Sequence, residues 1–385
     1  MRRAGRIARR IAAVILAVVL AGYGAIWWRH GGGGPFPERT LTKPVLADSA
    51  LEVVADLDLP PGNIAVSRTG RIFFTFHPEG RPQIKVAELV AGKPVPYPDA
   101  SFQTKRGDGP WFDTPLSLRI DRQDRLWVLD YGSHGAGTPR LLGFDLATDR
   151  LVHDFAFPSE VAGLGSMLND FQVSPDGTRI YIADASIFWN HGAIVVYDVT
   201  EKRARRLLDG DRSVQARPYV TRVQGRDMVL LGIFAVRPNV DSIALDARGE
   251  WLYFAAVTAD ELYRVRTKDL EDESLSAEAL AQRVETFAPK TESDGLTMDL
   301  EDHVYLSDPG HDAIHWIGPD HQLVTLLTTP RLRWPDGFSF GPDGWLYVTA
   351  SSLHHVIFMG PEHIREHAPY QIFRFKPGPE GAPGH

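Results

Sequence analysis

Four polar residues recur at one place in a repeated pattern. Asn169, Asp241, Asp294 and Asp336 each stand two residues before the first apolar residue of an alternating strand, where two further copies of the pattern carry Gly62 and Leu116. Oxygen donors brought together in this way suit a hard cation such as calcium, an ammonium group, or general-base work. On that reading Asp241 and Asp294 are the catalytic candidates, and Asn169, Asp241 and Asp294 the set for calcium or another divalent cation. Asp and Asn ahead of a strand also cap its free amides, so the same residues have a purely structural reading. The ends of the following strands add Asp130, Tyr131 and His134, then Asp184, Trp189, Asn190 and His191, then Asp308 and His311, and last Ser351, Ser352 and His354. Of these, Tyr131, Asp184, Trp189 and His354 join Asn169, Asp170 and Asp336 as candidate ligand-binding residues, because a ring beside an acid can stack on an aromatic or amine ligand. The histidines sit in separate loops without zinc spacing and individually read as surface residues.

Other chemistries are excluded by what the chain lacks. It has no cysteine, hence no thiol nucleophile, disulfide or thiolate metal site. No Gly-x-Ser-x-Gly elbow, phosphate-cradling loop or dinucleotide fingerprint stands where a strand leads into a helix, so no nucleotide cofactor is expected. Six of the 41 Lys and Arg, and none of the 49 acids, fall in the first thirty residues, which leaves the body a formal charge of about −14. Such a surface argues against nucleic-acid binding and favours cationic or neutral small molecules.

The elements that must position these residues are repeats. Strand pairs read at 63–67 with 71–75, 117–121 with 125–130, 170–174 with 179–184, 241–246 with 251–255, 294–299 with 303–308, and 336–340 with 345–349. Third strands follow, as at 193–197, 262–265, 313–317 and 371–375. β-Branched and aromatic residues in hairpins without intervening helices point to an all-β fold. Six units of about 55 residues predict a six-bladed β-propeller over residues 51–378, slightly above the usual repeat length because of insertions. One insertion, 211–228, reads as an extra hairpin, and another, 276–284, as a short helix capped by Ser276. The strand at 51–56 is placed to complete the last blade and close the ring. The start of each first strand and the end of each second strand share one face, so a propeller brings the four polar residues to the mouth of its central channel. Turns such as that at 175–177 lie on the opposite face and need only turn chemistry.

Ahead of the repeats, residues 11–28 form an uncharged, mostly apolar run preceded by five arginines. This is long enough to span a bilayer with the arginines on the cytoplasmic side, so residues 1–30 are expected to be a signal-anchor helix and the body extracytoplasmic. A cleaved signal peptide, which would leave the body secreted, places Tyr23 where a small residue is wanted. Residues 31–50 read as a flexible linker, residues 379–385 as a tail, and the chain as a monomer that meets the membrane only through its first helix.

Leu-Arg-Ile-Asp at 118–121 with Arg-Leu-Trp-Val-Leu-Asp-Tyr-Gly at 125–132, Leu-Asn-Asp at 168–170 with Tyr-Ile-Ala-Asp at 181–184, Ser-Asp-Gly-Leu at 293–296, Trp-Pro-Asp at 334–336 and Ser-Leu-His at 352–354 occur in order. They resemble the blocks of the yellow/major royal jelly protein family. That resemblance implies a six-bladed propeller with a ligand-accessible channel, and by analogy aromatic or amine ligands or dopachrome-type conversion. A more distant resemblance to the gluconolactonase/senescence-marker propellers implies a divalent cation held by a Glu, an Asn and an Asp at the same mouth. Asn169, Asp241 and Asp294 could stand in for part of that set, but Gly62 and Asn63 occupy the place of the glutamate.

Overall fold

The computed structural model describes residues 2–107, 109–188 and 191–384. Six four-stranded antiparallel sheets follow one another around a ring. Blades one to five are each continuous in sequence, their innermost strands being Pro61–Val66, Pro115–Ile120, Leu168–Val173, Val240–Leu245 and Leu296–Met298. Blade six is composite: Pro335–Phe340, Leu346–Ala350 and Tyr370–Phe375 are completed on the outside by Glu52–Leu57, with Val53 opposite Phe373. The predicted ring closure is therefore present, and it ties the two ends of the body together.

Alternating apolar residues on both faces of each blade pack into the seams. Leu129, Phe171 and Ile182 are fully buried between blades two and three, and Ile314, Phe338 and Phe373 between blades five and six. Each such side chain contributes about 1.5–3 kcal/mol relative to exposure. Hydroxyl groups stitch the inner strands. Thr75 accepts from Asn63 N at 3.0 Å and donates to Leu116 O of the next blade at 2.6 Å, and Thr349 does the same between Gly337 N and Gly62 O at 3.0 and 2.6 Å.

The innermost strands of blades one, two, three, four and six begin with a β-bulge. A bulge re-aims the residues at the start of a strand. In blades five and six the residue after the aspartate is glycine for a steric reason. A Cβ on Gly295 would lie 1.9 Å from the Asp336 carbonyl oxygen, and one on Gly337 2.8 Å from Asn63 Cα.

The first helix runs Arg2–His30, with the stretch Arg10–His30 apolar enough to cross a membrane and unburied. Residues 31–50, expected as a flexible linker, are instead laid against the body. Gly34–Pro35 pairs in parallel with Tyr219–Val220, the Arg39 guanidinium donates to Asp260 O and Lys290 O at 2.8 and 3.1 Å, and Leu46 N donates to Leu326 O at 2.8 Å. The insertion at 211–228 does contain a hairpin, Arg222–Val223 with Arg226–Asp227, and Ser276 caps the helix Ala277–Ala281 by accepting from Ala279 N. At the opposite end of the channel, the tail bonds to the inner strands: Gly384 N donates to Phe340 O and Ile120 N to Gly384 O.

Candidate functional site

The aspartates at strand ends fall into two populations. Asp121, Asp246 and Asp299 each accept from backbone N–H groups of the following turn, and Asp130 accepts from Asp113, Thr114 and Gly132 N at 2.5 to 2.9 Å. These are caps. Asn169, Asp241, Asp294 and Asp336 accept no backbone N–H among the described residues, and all four line a single mouth pocket.

Below and beside them lies a bonded network from blades one to three. Ser117 Oγ donates to Asp170 Oδ1 at 2.6 Å and Asn63 Nδ2 to the same oxygen at 2.5 Å. The Arg119 guanidinium bonds Asn63 Oδ1 and lies 3.7 Å from Asp170 Oδ2, with both side chains almost wholly buried. The pocket therefore carries a resident cation on one side. Burial raises the Asp170 carboxyl, opposed by Arg119, Ser117 and Asn63.

On the other side the carboxyls are not neutralised. Asp241 is 4% exposed, and among the described residues its Oδ1 meets no donor. Burial and then the neighbouring Asp294 push Asp241 well above the usual carboxylate range, and burial raises Asp294 as well, against its bonds to Trp334 and Asp241. Asp336 is raised likewise, by burial and then by Asp294 and Asp170, against the pull of Arg119. Asp294 Oδ2 accepts from Trp334 Nε1 at 2.5 Å. Trp334 holds this position with φ of 57°, a left-handed conformation that is uncommon for an aromatic residue and of the kind that clusters at functional sites.

The walls are aromatic. Tyr131, His134, Phe188, Phe234, Trp334 and Phe358 all line the pocket, with His134 between Tyr131 and Phe188 at ring distances of 4.9 and 5.0 Å. His134, read from sequence as a surface residue, is thus part of the wall, and burial lowers its pKa. Glu79, from the turn after blade one's second strand, adds a carboxyl that burial raises.

Not every candidate joins this pocket. Asp184 is fully buried in its loop, where Oδ1 accepts from Met167 N and Ser186 N and Oδ2 pairs with Arg206, which makes it a structural anchor rather than a ligand group. His354 lies behind the wall, 1% exposed, its ring parallel to Trp334 at 6.4 Å. Asp308 and His311 bond to each other on a different flank. Trp189 and Asn190 lie outside the described residues. Sequence reasoning gave no site role to Asn63, Glu79, Arg119 or Trp334. Arg119 had a signal: it occupies the strand position that holds Ala65, Gln172, Ala244, Thr297 and Ser339 in the other blades, where a charge has no ordinary place.

Comparison with solved structures shows the same architecture at low identity. A luciferin-regenerating enzyme superposes with a TM-score of 0.56 at 12% identity, covering 87% of this chain and 97% of that one. A putative gluconolactonase gives 0.55 at 14%, covering 86% and 93%. Regucalcin, a calcium-binding protein from Agrobacterium tumefaciens, gives 0.52 at 17%, covering 91% and 97%. Sequence relatives are nearer. Major royal jelly protein 7 of Apis mellifera is 31% identical over 185 residues, 45% of this chain and 39% of that protein, and major royal jelly protein 3 of the same species is 25% identical over 240 residues, 60% and 42%. The matches span about two fifths of the length of these relatives. The sequence profile described as Major royal jelly protein matches residues 114–323, from the start of blade two to the outer strand of blade five, and the chain belongs to the major royal jelly protein family.

Proposed function

We propose that the channel mouth binds a small aromatic molecule bearing a cationic amine. The observation that carries this reading is the pairing of an under-neutralised carboxyl set, Asp241, Asp294 and Asp336, with a wall of aromatic rings over it. An ammonium group supplies the charge and the donors that Asp241 Oδ1 lacks, while its ring stacks among Tyr131, Phe188 and Trp334. Arg119, paired with Asp170 on the opposite side, sets a polarity along which an amphoteric molecule would align. Dopamine and its uncharged analogue catechol are the informative probes. Calorimetric titration should give one site for dopamine, at least tenfold weaker binding of catechol, and quenching of Trp334 fluorescence; equal binding of the two would overturn the reading.

A second reading rests on the same orphan oxygen. Asn169, Asp241 and Asp294 present oxygen donors from three adjacent blades, a donor set that fits a divalent cation and would let it act as a Lewis acid on a lactone. The Arg119 charge, and Gly62 rather than an oxygen-bearing side chain at the matching repeat position of blade one, weigh against it. Metal analysis with lactone hydrolysis measured before and after chelation separates the two readings. We further infer that the helix at Arg10–His30 anchors the propeller to a membrane with the body on the extracytoplasmic side. Protease added to intact spheroplasts should then digest the body; protection until lysis would refute it.

A further inference from the structure

A second cluster of metal-capable side chains lies apart from the channel carboxyls, in the connection between the second and third strands of blade six. After Leu346–Ala350 the chain forms a turn, Leu353–His355, and a helix, Pro361–Glu366, before it returns as Tyr370–Phe375. The turn supplies His355. The helix and the residue that ends it supply His363 and His367, whose spacing of four places them on one side of the turn of helix. One ring nitrogen from each of the three lies within 4.8 Å of the other two. His355 stacks on His367 at 3.7 Å, and His363 lies 4.1 Å from His367.

Two features set this apart from a chance surface grouping. His363 Nε2 is buried and meets no partner among the described residues. His367 Nδ1 is hydrogen-bonded to the His363 carbonyl at 2.8 Å, which fixes the ring and leaves Nε2 as a lone-pair donor, the arrangement that orients metal-bound histidines. No carboxylate takes part, and the Arg226 and Arg333 guanidiniums bond to backbone carbonyls of this same segment, His354 O and His367 O. An all-imidazole set beside two cations does not suit calcium or magnesium, which want oxygen, and suits zinc, nickel or copper.

We propose that His355, His363 and His367 form a binding site for a zinc-class transition-metal ion, with a fourth position open to water. Zinc–nitrogen bonds of about 2.0–2.1 Å require the three nitrogens to close to roughly 3.3 Å, so the ion would turn the His355 and His367 rings out of their stack. The ion would clamp the turn to the helix. Leu353, Ile357 and Phe358 of the same connection line the mouth pocket, and His354 lies parallel to the Trp334 ring that bonds Asp294. Metal at the clamp would thus fix one wall of the ligand pocket without touching its carboxyls.

The test uses untagged, metal-stripped full-length protein. Titration with Co2+ should give one equivalent with visible ligand-field bands, Zn2+ should displace it, and Zn2+ should raise the unfolding temperature. His363→Gln should weaken Co2+ binding at least tenfold and remove the thermal shift while the metal-free variant unfolds where the metal-free wild type does; His355→Asn serves as the second variant if the first is poorly folded. Asp241→Asn should bind Co2+ as the wild type does. Absence of Co2+ binding below millimolar concentration, binding unchanged in both histidine variants, or binding lost in Asp241→Asn would each overturn the proposal.

Discussion

Arg119 of blade two and Asp170 of blade three form an ion pair at 3.7 Å in which neither side chain is more than 7% exposed. A buried pair adds little net stability by itself, but removing one partner leaves an uncompensated charge. Arg119→Met should therefore lower stability by about 3–5 kcal/mol. It should also make the pocket responsive to calcium, since Asp170 and Asp336 would then lose the cation that acts on both. Thermal unfolding with and without calcium checks both parts. An Arg119→Met variant as stable as wild type, or a wild type equally stabilised by calcium, would contradict the view that the arginine is the pocket's resident cation.

Asp336 tests the crowding of the other carboxyls. Its pKa is raised in the folded protein, so its contribution to stability is complete below the ordinary carboxylate range and is lost as pH rises through the folded value. Asp336→Asn removes that loss. The variant should unfold a few degrees above wild type at pH 8, and the two curves should converge toward pH 4. Dopamine binding should weaken by about 1–3 kcal/mol, the range for losing a charged hydrogen-bond partner. A variant that loses stability at pH 8 would instead mark Asp336 as a structural group.

Gly295 marks how closely the blades approach beside the site. A methyl group there would stand 1.9 Å from the Asp336 carbonyl oxygen, which is backbone and cannot step aside. Gly295→Ala should cost about 3 kcal/mol or more, or prevent folding. Gly34→Ala, where nothing lies within 4 Å, is the control and should be nearly silent. Comparable unfolding temperatures for the two variants would show that the seam is looser than described.

The propeller was legible because its repeats state the same strand pair six times. Asn169, Asp241, Asp294 and Asp336 were legible for the same reason: repeat position is a spatial coordinate in a closed ring. What repetition does not encode is what each residue meets across a seam. Asp184 and Asp241 carry the same side chain, yet one accepts from the nearby backbone of Met167 and Ser186 and the other faces Asp294. The His355, His363 and His367 cluster was missed because its members come from a connection outside the repeats. The ordered path of residues 31–50 was missed because glycines and prolines read as spacer, while the partners that hold Arg39 and Leu46 lie far along the chain.

His77 ties the stability of the pocket wall to acid. Its ring is buried in the pocket wall, its Nδ1 accepts from Glu79 N at 3.2 Å, and burial lowers its pKa to about 4. The unfolded chain takes up a proton near pH 6.5, whereas the folded chain resists until about pH 4. The stability contribution is therefore whole above pH 6.5 and is lost as pH falls toward 4, a total of about 3 kcal/mol from this one ring. Asn at 77 keeps an acceptor for the Glu79 amide and has nothing to protonate. His77→Asn should cost about 1 kcal/mol at pH 7.5 through lost packing and unfold at lower pH than that deficit implies, so that the two stability curves draw together or cross between pH 6 and 4. The acid limb should not vanish, because His153 is also lowered to about 4 and His354 to about 3. Stability followed by urea unfolding across that pH range decides the matter: curves that stay parallel would mean that His77 is already protonated in the folded protein, and with it that the pocket wall is wetter than its burial indicates.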